Sequence, residues 1–288
     1  MPLTNEQIEI RKTGIGASEA AAAIGVCPHR SPMHVYAAKT GTPVLFEESE
    51  PVEWGNRLEP VIADKYADVH GIELFNPQTT FRHRHHDWMI ASPDRLVFIP
   101  DTRGKVDYGV EIKSAGFRQY DRWGDTADKL PPEYYVQVSW CMAVLDVPRW
   151  DMAVLLAGQE YREYQIERDM EFEKLLIEKA AEFWNNHVLK RVPPKADAME
   201  ATRVALSHIY QSHGGDWVGS GPEMDMIADD LKAATAAKDA YAERVDELKN
   251  KARAYIGENE GVIGDWGKIG WKADKRGRRI LRPNWRDE

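Results

Sequence analysis

Two neighbouring apolar segments contain charged residues whose types and spacing could do chemistry. Asp94 follows a proline at a break in the first run, and Glu111 and Lys113 form a Glu-x-Lys in the second. Ionised groups are costly to bury unless they are paired or bind a metal. Two carboxylates beside an ammonium group suit a hard divalent cation such as Mg²⁺, which binds oxygen ligands and can clamp a phosphate. The lysine would then orient or help to deprotonate an attacking water.

These side chains can converge if the two segments form adjacent strands. A hairpin closed by the polar turn PDTRGK would bring Asp94 and Glu111 to the same end of a sheet. Lys113, two residues past Glu111, would project from the same strand face. Glu59, on a preceding predicted helix, could supply a further carboxylate. The alternative interpretation is that Asp94 is an ordinary turn residue and that Glu111 and Lys113 form a solvated surface pair.

A second candidate site lies nearer the start of the chain. The segment GIGASEAAAAIG (14–25) begins with two glycines before a predicted short helix. Its backbone N–H groups near Ser18 could bind an anion that Arg11 grips through two hydrogen bonds. The alternative is a close-packed, alanine-rich helix that merely needs small residues.

The remaining periodicities predict the elements that must position these residues. Strands are expected over 72–82, 88–99, 106–113, 149–158 and 161–167. Helices are expected over 31–41, 53–71, 131–147 and 169–190, with a bend or a late start at Pro60. This order predicts an α/β fold in which helices flank a mixed central sheet.

The last third of the chain has a different pattern. We expect a first domain over 1–195, a linker rich in Pro, Gly and Ser over 196–222, and an extension over 223–288. Composition adds that the 288-residue chain has a formal net charge of −9, which argues against a protein that coats nucleic acid non-specifically. Neither an apolar leader nor a run of about 18 apolar residues occurs, so we expect a cytoplasmic protein that does not span a membrane.

The extension combines a heptad helix with a basic tail. The helix, over 223–257, has an apolar seam that Lys238 interrupts. It could pack on its own domain, form an arm or serve as an oligomerisation seam. The tail predicts a β-hairpin with eight Lys or Arg and one Asp over 268–286, which could contact a DNA backbone or simply be solvated.

Five segments together resemble one family of enzymes. In chain order they read RKTGIGASEAAAAIG, WGNRLEP, ASPDRLV, EIKS and YYVQVSWCMAV, within about residues 8–190. They resemble the PD-(D/E)xK nuclease superfamily, and within it the YqaJ-like and lambda-type exonuclease branch of phage recombination nucleases. The resemblance implies a restriction-endonuclease-like core, with the long helix and β-hairpin as a C-terminal addition.

Carried over position by position, the resemblance implies a metal site. Asp94, Glu111 and the main-chain carbonyl of Ile112 would bind the metal. Glu59 would add a helical ligand, directly or through water, and Lys113 would be the catalytic lysine.

The resemblance also implies a site for the 5′-terminal phosphate. Arg11, Ser18 and Ser92 match family positions that hold this phosphate, and Gln137 matches the first Gln of a Q-x-Q motif beside the active site. The chain departs from the family at the second Gln, which is replaced by Ser139. Serine can still donate a hydrogen bond but reaches less far.

The function that the resemblance implies is an exonuclease that degrades one strand of duplex DNA from its 5′ end, with Mg²⁺ as cofactor and Mn²⁺ able to substitute. It further implies phage or prophage recombination inside a bacterial cell, beside a single-strand annealing protein, and a homo-oligomer, for which a trimer is expected. One rival is an endonuclease or resolvase on the same fold, which would cut closed circles. The other is a non-catalytic DNA-binding adaptor, which would be indifferent to replacing Lys113 or Glu111.

Overall fold

The computed structural model describes residues 5–42, 50–100, 102, 104–211, 215 and 217–286, apart from the side chains of residues 5–8. It divides the chain into two compact units, Met1–His213 and Gly214–Glu288. Of the predicted linker, residues 212–214 and 216 lie outside the described residues, whereas helix Glu200–Ile209 buries Thr202 and Ala205. Part of the linker thus folds with the first unit, and the domain boundaries at 195 and 223 stay a prediction.

The strands of the first unit form two sheets. They are β1 (Ile15–Gly16), β2 (Phe81–Arg82), β3 (Met89–Ala91), β4 (Arg95–Phe98), β5 (Val106–Ala115), β6 (Arg149–Leu156) and β7 (Glu160–Glu167). The small sheet has the order β1-β3-β2, and the main sheet has the order β4-β5-β6-β7. In the main sheet β5 pairs antiparallel with β4 but parallel with β6, so the sheet is mixed.

The helices of the first unit lie around these sheets. They are α1 (Asn5–Lys12), α2 (Ala17–Ala23), α3 (Pro32–Lys39), α4 (Glu50–His70), α5 (Pro132–Leu145), α6 (Met170–Phe183) and α7 (Glu200–Ile209). The structure confirms the predicted α/β architecture of a mixed sheet flanked by helices. It corrects the strand predicted over 72–82, of which β2 and an isolated bridge between Phe75 and Leu96 are present.

Helices α4 and α5 pack on opposite faces of the main sheet because strand side chains alternate between faces. Val110 and Ile112 of β5 belong to a buried cluster with Tyr66 of α4. Helix α5, apolar on all sides as expected of a buried helix, packs with α2 and the other face of the sheet in the larger cluster. The intervening β5 residues, Glu111 and Lys113, therefore point away from α4's buried cluster.

Helix α4 continues through Pro60 and does not start late there. A proline inside a helix leaves the carbonyl four residues earlier without its N–H partner. That residue is Asn56, which is exposed, so water can satisfy its carbonyl. The proline is tolerated because the lost hydrogen bond lies on the solvent side of the helix.

The second unit is a long helix followed by a small sheet. Helix α8 (Pro222–Ile256) begins with a proline in its first turn and ends before Gly257, whose φ of 59° suits glycine. Strands β8 (Gly261–Gly264), β9 (Gly267–Ala273) and β10 (Arg279–Trp285) form an antiparallel sheet, so three strands stand where the sequence predicted a hairpin. The apolar seam of α8 is exposed, as Leu231 and Tyr241 show. No described helix is long and apolar enough to cross a bilayer.

Gly109 offers a direct test of the central packing. A Cβ at Gly109 would lie 2.3 Å from the ring of Trp150, its fully buried partner on β6. We expect Gly109→Ala to lower the free energy of unfolding by about 1–3 kcal/mol, because the ring and the strand must shift. Gly116→Ala is the control, since a Cβ there meets nothing within 4 Å. Urea unfolding followed by tryptophan fluorescence compares the two, and equal midpoints would contradict this packing.

Candidate active site

A cavity of about 500 Å³ in the first unit brings most of the predicted site residues together. Elements α1, α2, α4, β3, β5 and α5 and the turn before β4 contribute to its wall. Nine of the ten predicted residues line it: Arg11, Ser18, Glu59, Ser92, Asp94, Glu111, Ile112, Lys113 and Gln137. The sequence did not identify four other polar residues of the wall, namely Arg30, Asn56, Ser114 and Tyr134.

Strand β5 places Glu111 and Lys113 on the same side, as the spacing predicts. The Lys113 ammonium donates to Oε1 of Glu111 at 2.6 Å. Gln137, from α5, donates to the same oxygen at 2.5 Å. Glu111 is 3% exposed, so these two donors fix a buried carboxylate from opposite elements. Both donors hold Oε1, which leaves Oε2 as the carboxylate oxygen that could meet a ligand.

Asp94 is attached to the same strand through the backbone. Its Oδ2 accepts a hydrogen bond from the N–H of Ile112 at 2.9 Å. Burial, and then the nearby Glu111 carboxylate, raise the pKa of Asp94 from 3.8 to about 7. The two carboxylates are so close and so buried that protonation of one of them is favoured.

Lys113 supplies one positive charge beside the two carboxylates. Burial opposes its charge, but the Glu111 and Asp94 carboxylates outweigh burial and raise the pKa of Lys113 above its usual range. Lys113 is therefore an ammonium at neutral pH, with its Nζ 5.4 Å from the centre of the Tyr134 ring. In this state it can orient a water or a phosphate oxygen by donating hydrogen bonds, and it cannot accept a proton.

The donors in the cavity fit a hard divalent cation. Mg²⁺ commonly keeps several waters and takes one or two carboxylates, and Asp94 and Glu111 with the main chain at Ile112 supply that kind of oxygen set. A closed cage is absent, because the described residues contain no cluster of three or more His, Cys, Asp or Glu side chains that could hold a metal. Burial and then Glu111 raise the pKa of Asp94, and a cation bound beside the two carboxylates would oppose both effects.

Glu59 lines the cavity, but another side chain holds its carboxylate. Arg95 donates to Glu59 Oε1 at 2.8 Å and to the carbonyl of Asp94 at 2.6 Å, and both charged side chains are largely buried. Direct metal ligation by Glu59 would require this ion pair to part. Binding of Glu59 to the metal through a water would leave this ion pair in place, and it stays a prediction.

The segment after α1 organises the other end of the cavity. Arg11 donates to the Ser18 hydroxyl at 2.6 Å, which places the guanidinium beside the predicted phosphate site. The Gly16 N–H is not available to a bound phosphate, because it donates to the Glu19 carboxylate at 2.9 Å. The Ser92 hydroxyl shares a hydrogen bond of 2.8 Å with Thr80.

A buried ion pair that the sequence did not reveal supports this segment. The Lys39 ammonium donates to Glu19 at 2.7 Å and to the main-chain carbonyl of Arg11 at 2.6 Å. Burial opposes the charge on Glu19, but Lys39 and Arg11 hold the pKa of Glu19 below its usual value. Burial also lowers the pKa of Lys39, so the pair is costly to form and costly to break singly. The signal available was Glu19 itself, three residues after Gly16 at the start of α2.

Ser139 is the predicted site residue that the structure does not bring to the cavity. It lies two residues after Gln137 on α5, and positions two apart on a helix point to different sides. Ser139 is 4% exposed and lies outside the described cavity lining. A phosphate contact from Ser139 therefore lacks support from this geometry.

Comparison with known proteins identifies the domain that carries these residues. The family model of the YqaJ-like viral recombinase domain matches residues 7–148. The protein named "Uncharacterized protein YqaJ" of Bacillus subtilis (strain 168) is 28% identical over 203 residues, which cover 69% of this chain. The match spans 61% of that relative's length, less than two thirds.

Solved structures share the fold. The alkaline exonuclease LHK-Exo from Laribacter hongkongensis is similar with a TM-score of 0.50 at 20% identity, covering 66% of this chain and 94% of that one. LHK-Exo in complex with dAMP gives a TM-score of 0.53 with the same coverage. The fold similarity agrees with the predicted α/β architecture. All ten predicted site residues lie within the part of the chain, residues 7–148, that matches the family model of the YqaJ-like viral recombinase domain, so the resemblance read from the motifs is confirmed.

Proposed function

We propose that this chain is a Mg²⁺-dependent deoxyribonuclease that hydrolyses one strand of duplex DNA from the 5′ end. The observation that carries the proposal is the convergence of Asp94, Glu111 and Lys113 on one cavity, where two carboxylates share a single ammonium. The match of residues 7–148 to the YqaJ-like viral recombinase domain supports a nuclease, and the similarity in fold to the alkaline exonuclease agrees with the same class. Polarity and the metal come from the family resemblance.

The roles of the residues follow from their contacts. A divalent cation held by Asp94, Glu111 and the carbonyl of Ile112 would stabilise charge on the phosphate and make a bound water more acidic. Gln137 fixes the Glu111 carboxylate, and the Ile112 N–H fixes Asp94, so the two carboxylates are positioned before substrate arrives. Lys113, as an ammonium, donates to a phosphate oxygen or orients the attacking water. Mn²⁺ would bind the same oxygen ligands.

The Arg11 end of the cavity would hold the terminal phosphate. Arg11 and Ser18 already form a charge-assisted pair, and a 5′-phosphate is the dianion that such donors bind. Ser92 and Gln137 line the same cavity. Because phosphate and metal sites share one cavity of limited volume, a bound 5′ end would place a nearby phosphodiester at the carboxylates.

We also infer the wider setting from the resemblance. It supports action on DNA ends in phage or prophage recombination within a bacterial cell, beside a single-strand annealing protein. A homo-oligomer, for which a trimer is proposed, would explain processive degradation. The exposed apolar seam of α8 is a surface that association with another chain could cover.

The first test asks for cleavage, polarity and metal use together. Linear duplex DNA, 5′-phosphorylated and labelled separately at each end, is incubated with Mg²⁺ or with EDTA, beside a closed circle. We expect loss from 5′ ends only, none in EDTA, and a fall of at least about a hundredfold for Lys113→Ala, since a charged donor at the reacting phosphate is lost.

The same assay separates the rivals. Cutting of closed circles would favour the endonuclease or resolvase. A variant as active as the wild type would favour cleavage by a contaminant or another site, and DNA binding without cutting would favour the adaptor. Lys65→Ala, an exposed lysine on α4 outside the cavity lining, is the matched control.

The phosphate role of Arg11 predicts a loss of end discrimination. Arg11→Gln should reduce the ratio of initial rates on 5′-phosphorylated and 5′-hydroxyl ends by about tenfold to a hundredfold, because a hydrogen bond to a charged group contributes about 1.5–3 kcal/mol. Arg57→Gln is the control, since Arg57 forms an exposed pair with Glu53 on α4. An unchanged ratio for Arg11→Gln would remove this residue from phosphate binding.

The buried Glu19–Lys39 pair predicts a pH-dependent stability change. Lys39→Met should lower the free energy of unfolding by about 3–5 kcal/mol at pH 7, because Glu19 loses its buried cation. The pKa of Glu19 is lowered, so the contribution of its charge is present above the ordinary value of 4.5 and is lost as pH falls below it. The difference from wild type should therefore shrink near pH 4. Urea unfolding at both pH values tests this, with Lys12→Met, from an exposed pair with Glu9, as control. A loss of equal size at both pH values would contradict the assignment.

A further inference from the structure

The basic tail of the chain is sorted by the strands of the second unit. Residues 268–286 carry eight Lys or Arg and one Asp in a chain whose net charge is −9. Side chains alternate between the two faces of a strand, so the register of β9 and β10 decides where each cation lies. Lys268 and Lys272 share one face of β9, and Arg282 of β10 joins that face because it pairs with Gly270 between them.

This face is concave. Gly270 is also the register partner of Gly261 on β8, so two glycines face each other across the middle of the sheet. The cavity above them has a volume of about 1140 Å³, and Lys268, Lys272 and Arg282 line it. We call this surface the basic trough.

The opposite face of the sheet has a different composition and a structural task. Trp271, Leu281 and Trp285 alternate onto that face. Arg279 lies 3.7 Å from the centre of the Trp271 ring and donates to the carbonyl of Gly257 at 2.7 Å, which ties the sheet to the end of α8. The Trp271 side chain is thus used in folding, and the described lining of the basic trough contains no aromatic residue.

Two carboxylates, Glu260 and Asp274, also line the basic trough, but its four Lys and Arg side chains outnumber them. Glu260 pairs with Lys272 at 2.5 Å, but both side chains are mostly exposed, so the pair is cheap to exchange for another anion. Asp274 accepts from the backbone N–H groups of Arg276 and Arg278 and thereby closes the turn between β9 and β10. Among the described residues, no ion pair engages Lys268 or Arg282.

We propose that the basic trough binds the phosphate backbone of duplex DNA. Cations without a carboxylate partner on a concave surface are the chemistry that sequence-independent backbone binding requires. Single-stranded DNA is disfavoured as the occupant, because proteins that hold it add aromatic side chains on which bases stack, and the trough lining offers none. The proposal rests on the proposed function only in taking DNA as the macromolecule. It adds a second, non-catalytic DNA contact in a separate unit of the chain.

The test measures binding apart from cleavage. The full chain is titrated in EDTA against a fluorescent duplex whose two ends are closed by hairpin loops, so that no free end can enter the active site. Lys268→Gln with Arg282→Gln is compared with Arg276→Gln with Arg278→Gln. The second pair removes the same charge from the turn, outside the trough lining.

We expect the trough variant to raise the Kd about tenfold at 0.1 M salt and to reduce the slope of log K against log salt by about two, one for each lost phosphate contact. The turn variant should change both values far less. Equal losses in the two variants would show an effect of net charge alone and would overturn the trough. Tighter binding to single-stranded than to duplex DNA would overturn the occupant.

Gly270 supplies a second variant that keeps every native cation. A Cβ there would lie 3.9 Å from the nearest atom, the Glu260 carbonyl oxygen, so a side chain fits without displacing the backbone. Gly270→Glu should weaken binding to the closed duplex, whereas Gly270→Gln, which fills the same space without charge, should weaken it much less. Equal loss of binding in the two variants would mean that the trough does not bind the DNA phosphate backbone. Hydrolysis of linear duplex by the wild type in Mg²⁺ is recorded in parallel. If the wild type cleaves and the variants leave closed-duplex binding unchanged, the trough alone is overturned. If the wild type does not cleave although the variants impair closed-duplex binding, the proposed function alone is overturned.

Discussion

The crowding of two carboxylates around one ammonium in a buried cavity is the constraint on which the first unit depends. Burial and Glu111 together raise the pKa of Asp94 to about 7, so the arrangement is electrostatically unfavourable by itself. The arrangement persists because hydrogen bonds from the surrounding fold fix the positions of both carboxylates. Asp94 accepts a hydrogen bond from the backbone of β5, and Oε1 of Glu111 accepts hydrogen bonds from both Lys113 and Gln137. Perturbed pKa values of this kind are typical of functional sites.

The architecture around the cavity can be understood from that constraint. Strand β5 must present Glu111 and Lys113 to the site while burying Val110 and Ile112 against α4, which alternation along a strand permits. Helix α5 must then deliver Gln137 over the opposite face, and its otherwise apolar surface buries it between the sheet and α2. Two other carboxylates of the region have cations of their own. Arg95 pairs with Glu59, and Lys39 pairs with Glu19, so neither carboxylate adds unpaired negative charge beside Asp94 and Glu111.

What could be predicted from the sequence follows the same division. The period-2 pattern around Glu111 located β5, the proline at its start located α5, and the ordered motifs placed nine residues at one cavity, because these features depend on local spacing. The engagement of Glu59 by Arg95 and the Glu19–Lys39 pair depend on which charged groups meet after folding, and periodicity carries no information on that. Ser139 shows the limit of carrying a motif across. Its short side chain lies on a helix face that points into the core, so matching the motif position did not predict a place at the cavity.

The charge distribution of the whole chain presents a problem that its second unit can solve. A polyanion must approach two carboxylates, Asp94 and Glu111, beside the single Lys113 ammonium, in a chain with a net charge of −9. A bound cation removes the repulsion at the reacting phosphate only, and its effect on the phosphates beyond is screened within about 10 Å at ordinary salt. Cations placed elsewhere on the chain would add long-range attraction to that of Arg11 and Arg30 in the cavity wall. The tail concentrates them, and its strand register sets Lys268, Lys272 and Arg282 on one concave face with the aromatic residues turned away. On the proposals made above, placing the DNA-binding cations in a separate unit from the nuclease site would let the cavity keep the two closely spaced carboxylates that a metal would bind.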